Sequence, residues 1–217
     1  MHKSINNLAL VKEQIKTNFN HLSNLKVIAV SKTFPVSEIE PLIKSGHTHF
    51  GENKVQEAVD KWTNIKKTHK NLKLHMIGKL QTNKVKYAVP LFDYIHSLDN
   101  LKLAEKIFLE QERKKKNLKI FIQVNIGNET QKSGVLIDEL DEFYKLCKSR
   151  FRLNIIGLMC IPPTTGDMNI YFDTLKNLNT SLGLKELSMG MSSDFIVAVQ
   201  NGATYVRIGS GIFGKRY

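Results

Sequence analysis

Cysteine is nearly absent: Cys147 and Cys160 are the two in 217 residues. Two thiols cannot build a disulfide framework of the kind small secreted folds rely on. Cys147 continues the apolar stripe of a helix, so it is expected as a buried free thiol. Long apolar runs are missing too. No stretch reaches the roughly 18 residues a membrane-spanning helix needs, and no short apolar core of a secretory signal is found. A soluble, cytoplasmic protein is therefore expected. The opening MHKSINNLALVKEQIKTNF instead sets Leu8, Val11, Ile15 and Phe19 on one face at helical spacing. It carries Lys but no Arg, unlike a transit peptide. Acidic residues are also scarce, 20 against 32 Lys and Arg, for a formal charge of +12. Such a balance raises nucleic-acid binding. Yet the densest cationic run, Arg113-Lys114-Lys115-Lys116, follows a helical stripe and precedes a strand. Lysines favour that end of a helix, and no aromatic residue is interleaved there for base stacking. Solvated helix faces account for the charge, and neither nucleic acid nor membrane is expected as a partner.

What the chain does have is alternation. Apolar runs that read as strands are KVIAV (26–30), THF (48–50), LHMIG (74–78), YIHSL (94–98), IFIQVN (120–125), LNIIGLMC (153–160), ELSMG (186–190) and YVRIG (205–209). Helical stripes lie between them. Val55, Ala58, Val59 and Trp62 share a face, as do Leu136, Leu140, Phe143 and Cys147, and Tyr171, Phe172, Leu175, Leu178 and Leu182. Strands alternating with helices imply parallel pairing. Eight of them predict a closed (β/α)8 TIM barrel, compact beside the usual length near 250 residues. An open doubly wound sheet is the alternative. In IFIQVN the alternation puts Ile120, Ile122 and Val124 on one side and Phe121, Gln123 and Asn125 on the other. An apolar face toward helices and a mixed face toward the interior suits a barrel. With no linker or repeat in the pattern, residues 1–217 read as a single domain, with the N-terminal helix packed across the barrel as an extra element.

Barrels build their sites from the loops after the strands and bind phosphate after strands 7 and 8. After strand 1 comes Lys32, and strand 8 carries Arg207. In a closed barrel these strands are neighbours, so both cations approach one rim. Proximity and desolvation would lower the lysine pKa and make its amine nucleophilic toward carbonyls. A lysine at a strand end can equally snorkel into solvent. After strand 7, Ser192 or Ser193 can cap the helix FIVAV. After strand 8, Gly209-Ser210-Gly211-Ile212-Phe213-Gly214 matches G-x-G-x-x-G. That pattern is a dinucleotide fingerprint only where a βαβ unit follows it, and three residues remain. Gly209 and Ser210 read better as part of a cradle for one phosphate monoester, formed with the helix near Ser192. A phosphorylated aldehyde would fit lysine, arginine and cradle together.

A metal-dependent hydrolase is a competing reading. His47-Thr48-His49 is an H-x-H whose imidazoles would face one side of a strand. Later strands offer Gln123, Asn125 and Cys160, too few ligands for catalytic zinc, and Arg207 would repel a cation. No metal is expected.

The motifs AVSKTFP (29–35), HFGENKVQEA (49–58), LHMIGKLQTNK (74–84), IHSLDN (95–100), QVNIGNETQKSG (123–134), GLMCIPP (157–163), LSMGMSSDF (187–195) and ATYVRIGSGIFGKR (203–216) resemble, in order, the pyridoxal phosphate homeostasis proteins. These are single-domain relatives of the alanine racemase barrel. The resemblance implies that Lys32 holds pyridoxal 5′-phosphate (PLP) as a Schiff base. It implies that Arg207 faces the pyridine nitrogen and that Ser192, Gly209 and Ser210 bind the phosphate. Asn53 matches a polar residue on the cofactor side. His75, Gln81 and Asn125 lie in shared motifs without an assigned role. Lys79 stands where relatives often have His, and Cys160 follows GLM; neither departure touches the residues named. Racemisation needs acid/base groups on both faces of the substrate Cα, and Lys32 is the one in evidence. The β-rich domain that supplies the second in racemases is not found in the sequence. A non-catalytic PLP-binding protein of vitamin B6 and amino-acid homeostasis is therefore expected, with transient apo-enzyme recipients as further partners and a monomer as its state. The alternative is a PLP-dependent amino-acid racemase.

Overall fold

The computed structural model describes residues 2–19 and 24–214. Residues 215 and 216 of the last shared motif, and the terminal Tyr217, lie outside them. Eight parallel strands close into a barrel in chain order. They are β1 (Lys26–Val30), β2 (His49–Glu52), β3 (Lys73–Met76), β4 (Tyr94–Leu98), β5 (Lys119–Val124), β6 (Ile155–Cys160), β7 (Glu186–Ser188) and β8 (Tyr205–Ile208). Closure comes from β1 pairing with β8, with Ile28 opposite Arg207. The open-sheet alternative is thereby excluded.

Strand alternation divides the apolar residues into two cores. Ile120, Ile122 and Val124 join the large outer core between barrel and helices. Phe121 joins Ile28, Tyr94, Met159 and Tyr205 in a small cluster inside the barrel. The split is the one the period of IFIQVN predicts. Gly157 marks a close approach of β6 to β7, since a Cβ there would lie 1.8 Å from the Glu186 carbonyl oxygen.

The helices form the outer ring: α1 (Lys3–Asn18), α2 (Val36–Lys44), α3 (Val55–Thr68), α4 (Val85–Leu91), α5 (Leu101–Lys114), α6 (Leu140–Ser149), α7 (Met168–Ser181), α8 (Phe195–Gln200) and the one-turn α9 (Ser210–Phe213). The placement of α1 sharpens the expectation of an extra element lying across the barrel. It packs between α2 and α8 and against α9, and Asn7 Nδ2 donates to the Ile212 carbonyl at 2.9 Å. It thus takes the outer position that α9 is too short to fill. Its face of Leu8, Val11 and Ile15 is buried, each side chain contributing about 1.5–3 kcal/mol.

The basic run at the end of α5 is a helix end. Arg113 is bound to Glu110. Lys115 ends the helix in the left-handed region at φ 50°, and Lys116 Nζ donates to the carbonyls of Pro90 and Phe92. Both cysteines are buried, and burial pushes each thiol up to about 12. Among the described residues, no helix is long and apolar enough to cross a membrane.

Candidate functional site

At the C-terminal mouth of the barrel lies a cavity of about 310 Å3 lined by Lys32, Asn53, Ser192, Arg207, Gly209 and Ser210 together with the apolar Val30, Ile77, Ile161 and Met191. All six residues singled out from the sequence share it. Alternation explains the convergence: Ile28 points inward, so Val30 and Lys32 follow on the same side, and Tyr205 sets the same parity for Arg207.

The backbone that carries Lys32 is clamped from beneath. Glu52 is fully buried at the end of β2. Its Oε1 accepts from Ser31 Oγ at 2.8 Å, Lys61 Nζ at 2.9 Å and Trp62 Nε1 at 2.9 Å. Lys61 Nζ also donates to the Ser31 carbonyl and to Glu57. On the other side of Lys32, Thr33 adopts φ 69°, a region a threonine enters only when its surroundings insist. Its amide donates to Glu57 Oε1 at 2.5 Å. Burial works against the Glu57 carboxylate, but the bonds from Thr33 and Lys61 hold it below its ordinary value.

Arg207 is 4% exposed. Its NH1 donates to Ser188 Oγ and its NH2 to the Cys160 carbonyl, both at 2.8 Å. Both acceptors are neutral, and among the described residues Arg207 forms no ion pair. Burial draws its pKa below the ordinary value. A buried guanidinium on a cavity wall, hydrogen-bonded to neutral acceptors alone, favours an electron-rich ligand atom.

The serines act differently from helix caps. The N-cap of α8 is Asp194, whose Oδ1 accepts from the Met191 amide. Ser192 Oγ reaches across and accepts from the amides of Gly209 and Gly211 at 3.3 and 3.2 Å. Capping is excluded for Ser192 and Ser193 because the helix begins beyond them. The loops after β7 and β8 are instead tied together at the rim. Gly211 is held to glycine there, since a Cβ would come within 2.9 Å of Ile208 Cγ2.

His47 and His49 do not face one side. The strand begins at His49, whose ring turns into the barrel and shares a 2.9 Å hydrogen bond with His75. His47 precedes the strand, donates Nε2–H to the His49 carbonyl at 2.8 Å and stands edge-on to Phe50. Burial lowers both histidines to about 4. Among the described residues, no three metal-ligating groups converge. Of the motif residues without a role, His75 lies wholly inside the barrel. Asn125 braces the loop after β5 through the backbone of Glu129, and Gln81 is exposed ahead of a short turn at Thr82–Lys84. Ser188 and His96, which sequence reasoning passed over, prove to be buried partners behind Arg207. Their inward strand parity was the available signal.

A (β/α)8 barrel whose C-terminal mouth combines a lysine, a buried arginine and serine hydroxyls beside loop amides offers a polar, cationic site suited to a small anionic ligand. The family model for alanine racemase, N-terminal domain, matches residues 6–217. The chain is 38% identical to the pyridoxal phosphate homeostasis protein of Pasteurella multocida, with 94% of this chain and 95% of that protein covered. It is 35% identical to that of Escherichia coli K12, covering 100% and 98%. The solved structure of PipY from Synechococcus elongatus with PLP bound superposes with a TM-score of 0.87 at 32% identity, covering 97% of this chain and 100% of that one. The chain belongs to the pyridoxal phosphate homeostasis proteins of the alanine racemase N-terminal domain family.

Proposed function

We propose that the chain binds PLP at the C-terminal mouth as a Schiff base on Lys32, without catalytic turnover, and serves vitamin B6 and amino-acid homeostasis as a monomeric, single-domain carrier. The carrying observation is that Lys32 and Arg207, far apart in sequence, line one 310 Å3 cavity with Ser192, Gly209 and Ser210. That volume lies at the small end of ligand pockets. Its polar lining is rich in cations, hydroxyls and amides, which suits a phosphate monoester, an aldehyde and a pyridine nitrogen. PipY, solved with PLP, supports the same ligand.

Each residue has a part. Lys32 condenses its amine with the aldehyde: a C=N bond forms and one water leaves. When bound, PLP supplies an electron-accepting pyridine ring. Ser192, Gly209 and Ser210 hold the phosphate, and Asn53 borders the ring. Arg207 keeps its proton, so its positive charge opposes protonation of the pyridine nitrogen and weakens the ring as an electron sink. That supports storage over chemistry, and transfer to apo-enzymes is the corresponding role.

The absorption spectrum of the protein mixed with PLP tests this reading. The wild type is expected to show a visible Schiff-base band, absent in Lys32→Ala. No exchange of amino-acid Cα protons in deuterated water is expected. A Lys32-dependent exchange would overturn the non-catalytic role.

A further inference from the structure

Behind Arg207 a line of polar side chains runs through the barrel. Ser188 Oγ, which accepts from Arg207, shares a 2.8 Å hydrogen bond with His96 Nδ1. His96 Nε2 and His75 Nδ1 are 2.9 Å apart, and His75 Nε2 and His49 Nδ1 also 2.9 Å. Ser188, His96 and His75 are fully buried. His49 lines a separate cavity at the opposite mouth, between α1 and the start of β1 and β2. The rings are fixed in plane: His75 stacks on Tyr94 at 4.1 Å and His96 on Phe121 at 4.3 Å.

The chain has one direction. A guanidinium only donates. The Ser188 hydroxyl therefore accepts from Arg207, and among the described residues His96 Nδ1 is the one acceptor within reach of its own proton, so a fully satisfied hydroxyl donates there. With that assignment His96 carries its proton on Nε2 and gives it to His75 Nδ1. His75 in turn donates from Nε2 to His49 Nδ1. Burial foremost, then Arg207 and the neighbouring histidines, keeps His96 and His75 neutral. Every acceptor end thus faces Arg207 and every donor end faces away, an aligned row of dipoles in which each bond polarises the next. Such a row adds negative potential at the buried guanidinium, beside that of the Asp194 carboxylate.

We propose that Ser188, His96, His75 and His49 form a one-way hydrogen-bond relay that orients Arg207 and links the pyridine side of the ligand cavity to the opposite mouth of the barrel. The four are positioning residues. The relay stands on the hydrogen-bond geometry and the burial of its histidines, and only its effect on the cofactor rests on the reading above.

Nitrogen-15 NMR of the ligand-free protein, labelled in histidine, reads the tautomers directly. The relay predicts Nε2–H for His96, His75 and His49; a proton on Nδ1 of His96 or His75 overturns it. In Ser188→Ala the His49 ring signals should shift, although two imidazoles intervene. In Ser97→Ala, a buried serine beside His96 outside the relay, they should not. An unchanged His49 in Ser188→Ala would contradict the linkage. PLP retention should weaken about tenfold in Ser188→Ala and recover in Ser188→Thr, which restores the hydroxyl. Equal retention in Ser188→Ala, with Lys32 still modified by PLP, would overturn the orienting role. Failure of wild-type Lys32 to react with PLP would strike the cofactor reading and leave the relay standing. Should Ser188→Ala not fold, the wild-type tautomers still decide.

Discussion

Lys32 owes its position to neighbours that never touch the cavity. Glu52, Lys61 and Trp62 fix Ser31 on one side, and Glu57 fixes Thr33 on the other. The amine itself contributes little to the core from a half-buried rim position. Lys32→Ala is therefore expected to change unfolding free energy by about 1 kcal/mol or less, measured by urea denaturation, while abolishing the Schiff-base band. Lys32 and Arg207 were legible in sequence because strand ends and strand pairing follow from the alternation alone. Ser192 was legible as a rim residue but not in its bonding. Whether its hydroxyl caps α8 or ties down Gly209 turns on where the helix starts, and Asp194 takes that place. The histidine relay was illegible for a different reason: its members sit on β2, β3 and β4 and meet Ser188 of β7 only once the barrel has closed.

Among the elements, the β1–β2–α3 corner carries the clearest energetic consequence. Three donors converge on Glu52 Oε1. Glu52→Ala would leave the indole N–H unpaired, leave the Ser31 hydroxyl only its long 3.4 Å bond to the Gly51 carbonyl, and remove one carboxylate from the buried Lys61, which retains Glu57. A loss of about 3 kcal/mol is expected, read as a lowered denaturation midpoint. Glu52→Gln, which keeps an acceptor, should lose less. Element identity was the most legible level, since the eight apolar runs all become strands. Boundaries were less so. His47 precedes β2, which starts at His49, and packs edge-on to Phe50 while the His49 ring meets His75, which undoes the shared face expected of the H-x-H. The role of α1 needed the finished ring, because only the shortness of α9 shows which place it fills.

For the molecule as a whole, four histidines held neutral make acid the vulnerable side. Burial lowers His47 and His49 to about 4, and His75 and His96 lie well below 6.5. Their folded pKa values are below the unfolded one. Between about pH 6.5 and 4 the unfolded chain thus binds protons that the folded chain refuses, so stability is full above pH 6.5 and falls as pH drops. Each histidine contributes up to about 1.4 kcal/mol per pH unit. Urea midpoints should fall steeply from pH 7 to 5, and a flat profile would contradict the buried relay. At this scale the sequence showed a barrel with its ligand end at one mouth, but not that a polar line joins both mouths. We propose above that Lys32 holds PLP covalently. Borohydride reduction of the PLP-treated protein, followed by peptide mapping, tests it most directly. A phosphopyridoxyl group on Lys32 is the predicted result. Its absence there, or its presence mainly on other lysines, would contradict the account.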